Sequence, residues 1–296
     1  MIASILALLS VGLPRVPLIP STLPGFTLTW SDNFIGAKNS LPNPANWIID
    51  TGTSYPGGPP NWGNSESQTY TSRPENLKLT GDGLLQITPL RSANNTWTSA
   101  RIETQRTDFQ AREGGKMLIS ARIKMPDVSG ESAAGYWPAF WTLGGNFRGD
   151  YWNWPSVGEF DIMENVNGVD QVWGVLHCGV NPGGPCQEAT GLGRTSECPE
   201  SSCQGNWHVY SFEVDRSSTP EKLTWSVDGK SYHNVTENDL GASTWADTVH
   251  KGHFILLNVA MGGSFPNGVR GSPTPTSDTV SGVPMYVDWV AVYNSI

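Results

Sequence analysis

One stretch of the chain decides its fold: Val157-Gly158-Glu159-Phe160-Asp161-Ile162-Met163-Glu164-Asn165-Val166-Asn167. Successive side chains of a β-strand point to opposite faces of the sheet. A strand at this position therefore places Glu159 and Asp161 on one face, and it places Phe160 and Ile162 on the other, where they suit a core. The stretch predicts a sheet with one polar face and one apolar face.

Glu164 breaks this alternation. A regular strand would set Met163 beside Asp161 and would turn Glu164 towards the apolar face, where an unpaired carboxylate is costly. One extra residue, a β-bulge, returns Glu164 to the face of the other two acids, and bulges are over-represented beside active sites. We therefore predict a bulged strand that carries three carboxyls on one exposed face.

Three neighbouring carboxyls suit acid–base chemistry. Like-charge repulsion spreads their pKa values apart, and a two-carboxylate mechanism needs one acid protonated and another ionised. A solvated acidic strand face is the alternative interpretation. The apolar residues at every second position favour a site on a sheet over a loop.

The hexapeptide Glu159-Phe160-Asp161-Ile162-Met163-Glu164 resembles the signature of glycoside hydrolase family 16, in the bulged Glu-x-Asp-x-x-Glu form of its laminarinase-like members. The preceding Gly135-Tyr136-Trp137-Pro138-Ala139-Phe140-Trp141 is similar to the segment that this family carries just before its acids, and the resemblance extends from about Trp30 to Tyr293. It implies a concanavalin A-like β-jelly roll with a substrate cleft across a concave sheet. It also implies a retaining endo-glycoside hydrolase that cleaves β-1,3-glucans or mixed β-1,3-1,4-glucans.

Composition agrees with an all-β fold. Of the 296 residues, 38% are hydrophobic and only 15% are charged, with 33 Gly and 22 Pro. This balance favours many short strands joined by turns, and no long segment shows a helical period. We predict a sandwich of two antiparallel sheets. It forms one catalytic domain, residues 25–296, after a signal and lead-in segment, residues 1–24.

The net charge restricts the partners. A charge of -9 argues against nucleic acid or an anionic membrane, because both attract a basic surface. The 13 Trp residues favour carbohydrate, because aromatic rings stack on the apolar faces of sugars. We expect a β-glucan polysaccharide or oligosaccharide as partner, and a monomeric protein.

The N-terminal residues predict secretion. The apolar run at residues 2–9, followed by small residues, resembles the hydrophobic region of a signal peptide, although no Lys or Arg precedes it. This run is too short to span a bilayer as a helix. Glycosylation sequons at Asn94 and Asn234 agree with a secreted glycoprotein.

All four cysteines fall in a stretch rich in Gly, Pro, Ser and Thr, which we predict to be a long loop: Cys178, Cys186, Cys198 and Cys203. An even count in an extracellular protein favours two disulfides, and three pairings are open. Four thiolates could also hold zinc, although the spacings do not include Cys-x-x-Cys.

The resemblance assigns roles to the three acids. It implies that Glu159 is the nucleophile and Glu164 the general acid/base, with Asp161 between them as a hydrogen-bond partner of Glu159. Two working acids on one strand predict a carboxyl separation of about 5–5.5 Å, as in retaining enzymes. We expect that catalysis requires no cofactor.

Six further side chains are expected at the cleft because they match segments of the family. They are Trp62, Asn64, Arg101, Trp137, Trp141 and His177. Each also has an ordinary structural interpretation: a plain loop for Trp62 and Asn64, a surface ion pair for the arginine, the core for Trp137 and Trp141, and a structural role for the histidine.

Asp288 matches the position of an aspartate that holds a structural calcium ion in members of the family. The other expected ligands are backbone carbonyls, which a sequence does not reveal. The alternative is an aspartate that faces solvent from the outer side of its strand.

Other functions compete with β-glucan hydrolysis. A transglycosylase or an endo-β-1,3-galactanase of the same family would carry identical acids. A glucan-binding lectin is a candidate from another class, since a fold does not fix a function, but such relatives tend to lose a catalytic glutamate. A structural cell-wall protein would not need the three acids.

Overall fold

The computed structural model describes residues 19–296. Residues 1–18 of the predicted signal and lead-in segment lie outside this range, whereas its residues 19–24 are described and include a strand at Thr22–Leu23. The strands, in chain order, are β1 (Thr22–Leu23), β2 (Phe26–Asp32), β3 (Trp47–Asp50), β4 (Gln68–Tyr70), β5 (Leu77–Leu79), β6 (Leu85–Ile87), β7 (Leu90–Arg91), β8 (Trp97–Ser99), β9 (Arg101–Thr104), β10 (Lys116–Lys124), β11 (Tyr136–Gly144), β12 (Glu159–Glu164), β13 (Val172–His177), β14 (Leu192–Ser196), β15 (Trp207–Asp215), β16 (Lys222–Val227), β17 (Lys230–Thr236), β18 (His253–Met261) and β19 (Met285–Ser295).

Short helices lie between some of these strands. The α-helices are α1 (Glu237–Leu240), α2 (Ala242–Val249) and α3 (Ser264–Arg270), and single 3-10 turns occur at Pro60–Gly63, Gly130–Ala133 and Gly145–Phe147. None of the helices within residues 19–296 has the length and apolar character that crossing a membrane requires.

Two large antiparallel sheets form the predicted sandwich. The outer sheet has nine strands, in the order β1-β2-β19-β10-β15-β16-β17, with β6 attached to β19 and β5 attached to β6. The cleft sheet has seven strands, in the order β14-β13-β12-β11-β18-β9-β3. A third, three-stranded sheet joins β4, β8 and β7, and its β4–β8 pair is parallel. The acids lie on β12, near the middle of the cleft sheet.

The core lies between the two large sheets. Apolar residues at every second position of β10 predict a half-buried strand, and these four side chains are at most 1% exposed: Met117, Ile119, Ala121 and Ile123. Phe160 of β12 packs on Phe212 of β15, with 4.7 Å between the ring centroids. The apolar face of the acid-bearing strand is thus anchored to the outer sheet.

Two turn sequences, Gly81-Asp82-Gly83 and Asp228-Gly229, predict hairpins, and both hairpins are present. β5 pairs with β6 around the first turn, and β16 pairs with β17 around the second. Asp228 and Gly229 have φ angles of 47° and 75°. Positive φ at both central residues matches the twist of the flanking strands, and for this reason Asp-Gly is a strong hairpin signal.

The cysteine-rich segment corrects one expectation and resolves another. It is not wholly a loop, because Leu192–Ser196 forms β14, which pairs with β13 at the edge of the cleft sheet. The cysteines form two disulfides, Cys178–Cys186 and Cys198–Cys203. This pairing answers the question that the sequence left open, and it contradicts the zinc alternative, because a disulfide leaves no thiolate.

Candidate active site

The predicted β-bulge is confirmed in β12. Asp161 is paired with Val175 of β13, and Glu164 is paired with Trp173. Three steps along β12 therefore match two steps along its neighbour, and the phase of the side chains is corrected by one residue. The irregular backbone is satisfied from the outer sheet, because Trp225 Nε1 donates a 2.8 Å hydrogen bond to the carbonyl of Asp161.

The acids are more deeply placed than an exposed face would be. Asp161 is 3% exposed and Glu164 is 7% exposed, while Glu159 is half-buried. Indole rings cover the outer acids: Trp154 Nε1 donates to Glu159 Oε2 at 3.1 Å, and Trp137 Nε1 donates to Glu164 Oε1 at 2.8 Å. The expectation of an exposed face was wrong, because the rings come from segments outside the strand.

His177 lies beside the nucleophile candidate rather than beside the acid/base candidate. It is paired with Glu159 across β12 and β13, and its Nε2 lies 3.5 Å from Asp161 Oδ2. Its Nδ1 is 2.8 Å from Oε2 of Glu188, a residue of the cysteine-rich segment. The imidazole therefore links the acids to that segment.

Burial and mutual repulsion shift the pKa values of the acids. Burial raises the pKa of Glu159 to about 7, although the charge of His177 opposes this shift. Burial, with the charges of Glu159 and Glu164, raises the pKa of Asp161 well above its usual value. Burial also raises the pKa of Glu164. Burial thus favours the protonated form of each acid, and an acid–base pair needs one acid that keeps its proton.

Arg101 lies inside the wall of the cleft. It is 4% exposed, its Nε lies 3.1 Å from Asp50 Oδ2, and its Nη2 donates to the hydroxyl of Tyr55 at 2.9 Å. Its guanidinium carbon lies 4.5 Å from the ring centroid of Trp62 and 4.9 Å from that of Trp141. These contacts make it a support for the aromatic wall, and contact with a sugar stays a prediction.

Trp62 and Asn64 occupy the loop before β4. Trp62 is 8% exposed and packs edge-on against Tyr55, with 4.9 Å between centroids. Asn64 is exposed, and its Nδ2 lies 3.5 Å from Oε1 of the buried Glu66. Of the two, Asn64 is the side chain that the structure leaves accessible.

The two tryptophans of β11 face the acids. Trp141 is paired with Asp161 across the sheet, and Ala139, between the tryptophans, is paired with Glu164. Both indoles are half-buried, and Trp141 Nε1 donates to Asn258 Oδ1 at 2.7 Å. Their register places them on the face that carries the acids, and contact with a sugar stays a prediction.

A small residue lets these segments meet. A Cβ at Gly263 would lie 2.9 Å from the carbonyl oxygen of Asn64 and 3.3 Å from the Trp137 ring, and the φ of Gly263 is +104°. Only glycine readily adopts this backbone conformation so close to its neighbours. The loop of Asn64 thereby reaches the tryptophan that covers Glu164.

Sequence reasoning missed several residues of the site. Phe265 stands edge-on to Trp137 and to Trp173, with 5.7 Å between the centroids in each pair. Glu188 was missed because it lies in a segment interpreted as loop. Trp154 ends the aromatic run Tyr151-Trp152-Asn153-Trp154, whose pattern favours a cleft wall, but its hydrogen bond to Glu159 depends on the folded loop.

The predicted calcium ligand lies in the other sheet. Asp288 is on β19, is 2% exposed, and is bound by Arg122 of β10 in an ion pair. The guanidinium supplies positive charge to this carboxylate, which disfavours a calcium ion at the same position. Among residues 19–296, one set of three side chains could hold a cation, namely Glu159, Asp161 and His177.

The chain is similar in sequence to known proteins. A family model described as an XgeA-like catalytic GH16 domain matches residues 65–206. The chain is 30% identical to the β-glucanase of Rhodothermus marinus, over 91% of this chain and 86% of that protein. It is 31% identical to the clotting factor G alpha subunit of Tachypleus tridentatus over 96% of its own length, but it spans only 36% of that protein.

Solved structures show the same fold. The endo-1,3-β-glucanase from Streptomyces sioyaensis is 51% identical, with a TM-score of 0.91 over 94% of this chain and 99% of that one. The endo-β-1,3-glucanase from Pyrococcus furiosus is 31% identical, with a TM-score of 0.72 over 92% and 95% of the two chains. With these relatives and a bulged Glu-x-Asp-x-x-Glu strand, the chain belongs to glycoside hydrolase family 16.

Proposed function

We propose that the protein is a retaining endo-glycoside hydrolase that cleaves β-1,3-glucans or mixed β-1,3-1,4-glucans. The observation that carries the proposal is the bulged strand β12, which brings Glu159, Asp161 and Glu164 to one face beneath indole rings. The relatives whose names describe endo-1,3-β-glucanases support this choice of substrate.

The reaction has two displacements. Glu159 attacks the anomeric carbon while Glu164 gives its proton to the glycosidic oxygen, so the leaving sugar departs and a glycosyl ester remains on Glu159. Glu164 then takes a proton from water, which attacks the same carbon and releases Glu159. Configuration is retained because the carbon is inverted twice.

The surroundings of each acid suit these roles. Burial raises the pKa of Glu159 to about 7, but the charge of His177 opposes this shift and so favours the ionised form that a nucleophile needs. Burial favours the protonated form of Glu164, which a general acid needs. Burial and the charges of Glu159 and Glu164 raise the pKa of Asp161, which favours its protonated form and so limits the negative charge of the group.

The remaining cleft residues provide binding. We assign sugar stacking to the half-buried rings of Trp137 and Trp141, and a polar contact to the exposed Asn64. Trp62 and Arg101 support this wall from beneath. We also propose that the protein is a monomer and that it is secreted. The two disulfides favour secretion, because such bonds persist in oxidising environments.

The test compares three substrates: laminarin, mixed-linkage β-glucan and β-1,3-galactan. We expect at least one glucan to yield short oligosaccharides whose new ends have the β configuration. NMR monitors these products over time. Products longer than the starting chains would identify a transglycosylase, and cleavage of galactan alone would identify a galactanase. Binding without any product would identify a lectin and overturn the proposal.

Variants test the roles of the acids. Glu159→Gln and Glu164→Gln should each nearly abolish turnover while the melting temperature shows an intact fold. Glu197→Gln, an exposed glutamate outside the cleft sheet, is the matched control and should keep wild-type turnover. With azide and an activated substrate, Glu159→Ala should yield the α-glycosyl azide and Glu164→Ala the β-glycosyl azide. The reverse pattern would exchange the two assignments.

A further inference from the structure

Glu188 is a buried carboxylate that the reaction above does not use. Its side chain has no exposed surface. Oε1 accepts a 2.9 Å hydrogen bond from the backbone N–H of Cys178, and Oε2 lies 2.8 Å from His177 Nδ1. Burying a carboxylate is costly unless it is paired and hydrogen-bonded, so this group is placed there by a specific pair of contacts.

The backbone around Glu188 is fixed. The N–H of Glu188 donates to the carbonyl of Gly183, and the N–H of Gly183 donates to the carbonyl of Glu188, at 2.6 and 2.7 Å. The Cys178–Cys186 disulfide closes the loop two residues before Glu188. The segment therefore delivers one acid to one side of the imidazole with little freedom to move.

The imidazole is also confined on its other faces. The ring of Trp154 lies 5.5 Å from it between centroids, and a Cβ at Gly191 would lie 2.8 Å from its Cε1 atom. A ring held in this way has one orientation: Nδ1 towards Glu188 and Nε2 towards Asp161.

We propose that Glu188 is the positioning residue of this site: it fixes a proton on Nδ1 of His177 and thereby directs Nε2 at Asp161 and Glu159. An ionised carboxylate only accepts hydrogen bonds, so the Nδ1 atom that it contacts must be the donor. The imidazole then carries its positive charge against the acids of β12. This role rests on the proposed hydrolase function.

Electrostatics supports the assignment. Burial lowers the pKa of His177, but the hydrogen bond to Glu188 and the charges of Glu159, Glu188 and Glu164 outweigh it and raise that pKa. In return, the imidazolium lowers the pKa of Glu159, and this effect is larger than that of the Glu188 charge, which raises the same pKa. The charges that act on His177 are those of Glu159, Glu164 and Glu188, and the Asp161 carboxyl lies 3.5 Å from its Nε2. Arg101 lowers the pKa of Glu159 from further along the sheet.

The kinetic test is Glu188→Gln, which keeps the shape and an acceptor for Cys178 N–H but removes the charge. Without Glu188 the pKa of His177 should fall, Glu159 should lose its cationic neighbour, and its pKa should rise. The acidic limb of kcat/KM against pH should therefore move up by about 1 pH unit, with a loss of about 10- to 100-fold at the optimum. The control Glu197→Gln should change neither the position of the acidic limb nor kcat/KM at the optimum.

A spectroscopic test does not depend on substrate. The ¹⁵N shifts of His177, assigned by comparison with His177→Gln, should show a protonated Nδ1 in the wild type and a lower pKa in Glu188→Gln. A wild-type imidazole with its proton on Nε2 alone would overturn the proposal, even if Glu188→Gln does not fold. An unshifted acidic limb with an unshifted His177 would overturn it as well.

The two proposals fail separately. A wild-type protein that cleaves no glycan would contradict the hydrolase function, yet the ¹⁵N titration would still decide what Glu188 does to His177. An active enzyme whose acidic limb ignores Glu188 would contradict only the positioning role.

Discussion

Burial of the Glu159 carboxyl serves the site but lowers the stability of the folded protein at neutral pH. Burial raises its pKa from 4.5 to about 7 in the folded protein. The folded state therefore binds this proton more tightly than the unfolded chain does. Between these two pKa values the free energy of unfolding falls as the pH rises, because the native state binds more protons than the unfolded state.

We therefore predict that Glu159→Gln stabilises the protein in a pH-dependent way. The gain should be close to zero at pH 4, should grow between about pH 4.5 and 7, and should level off above that, at no more than about 3 kcal/mol. Urea unfolding at pH 4 and pH 8 measures it. Glu197→Gln, an exposed control, should show no such growth, and an equal gain at both pH values would contradict the prediction.

At the scale of the element, the bulge in β12 and the segment after β13 act together. The bulge directs Glu164 to the polar face, and the disulfide-closed loop brings Glu188 to His177 at the end of β13. The first device is encoded within one strand. The second depends on Cys178–Cys186, whose closed loop spans eight positions.

Removal of this disulfide should affect both stability and catalysis. For Cys178→Ala with Cys186→Ala, loop-closure entropy predicts a loss of about 2.5 kcal/mol. We also expect a lower kcat/KM, because Glu188 loses its anchor. Cys198→Ala with Cys203→Ala opens the shorter loop, with a separation of five, and should cost about 2 kcal/mol without a change in kcat/KM. Equal kinetic effects of the two double variants would contradict this account.

At the scale of the whole molecule, the two large sheets have different roles. The cleft sheet carries the three acids, whereas the outer sheet closes the core and carries Asp288 on β19. Asp288 is bound to Arg122 of the neighbouring strand. A buried carboxylate that already has a cationic partner has no need of a metal ion for its charge.

We therefore predict that chelation leaves the melting temperature unchanged. The measurement compares protein treated with EDTA and then returned to buffer with or without calcium. A melting temperature that falls after chelation and is restored by calcium would show a site that uses other ligands, and it would contradict our interpretation of the Arg122–Asp288 pair. Magnesium in place of calcium is the matched control.

The sequence by itself determined what depends on local pattern. The period of two predicted β10 and β12, the Asp228-Gly229 turn predicted its hairpin, and the phase error at Glu164 predicted the bulge. These features could be predicted because backbone alternation and φ preferences act within a few residues of the chain. The family match added the prediction that Trp137 lies at the cleft together with the acids.

Only the tertiary structure decided what depends on distant segments. It paired Cys178 with Cys186, formed β14 within a predicted loop, and buried Arg101 behind the cleft wall. It also brought Glu188 to His177, eleven residues earlier in the chain. The physical reason is that burial and hydrogen bonding depend on which segments the sheet register and the loops bring together, and no local period encodes that.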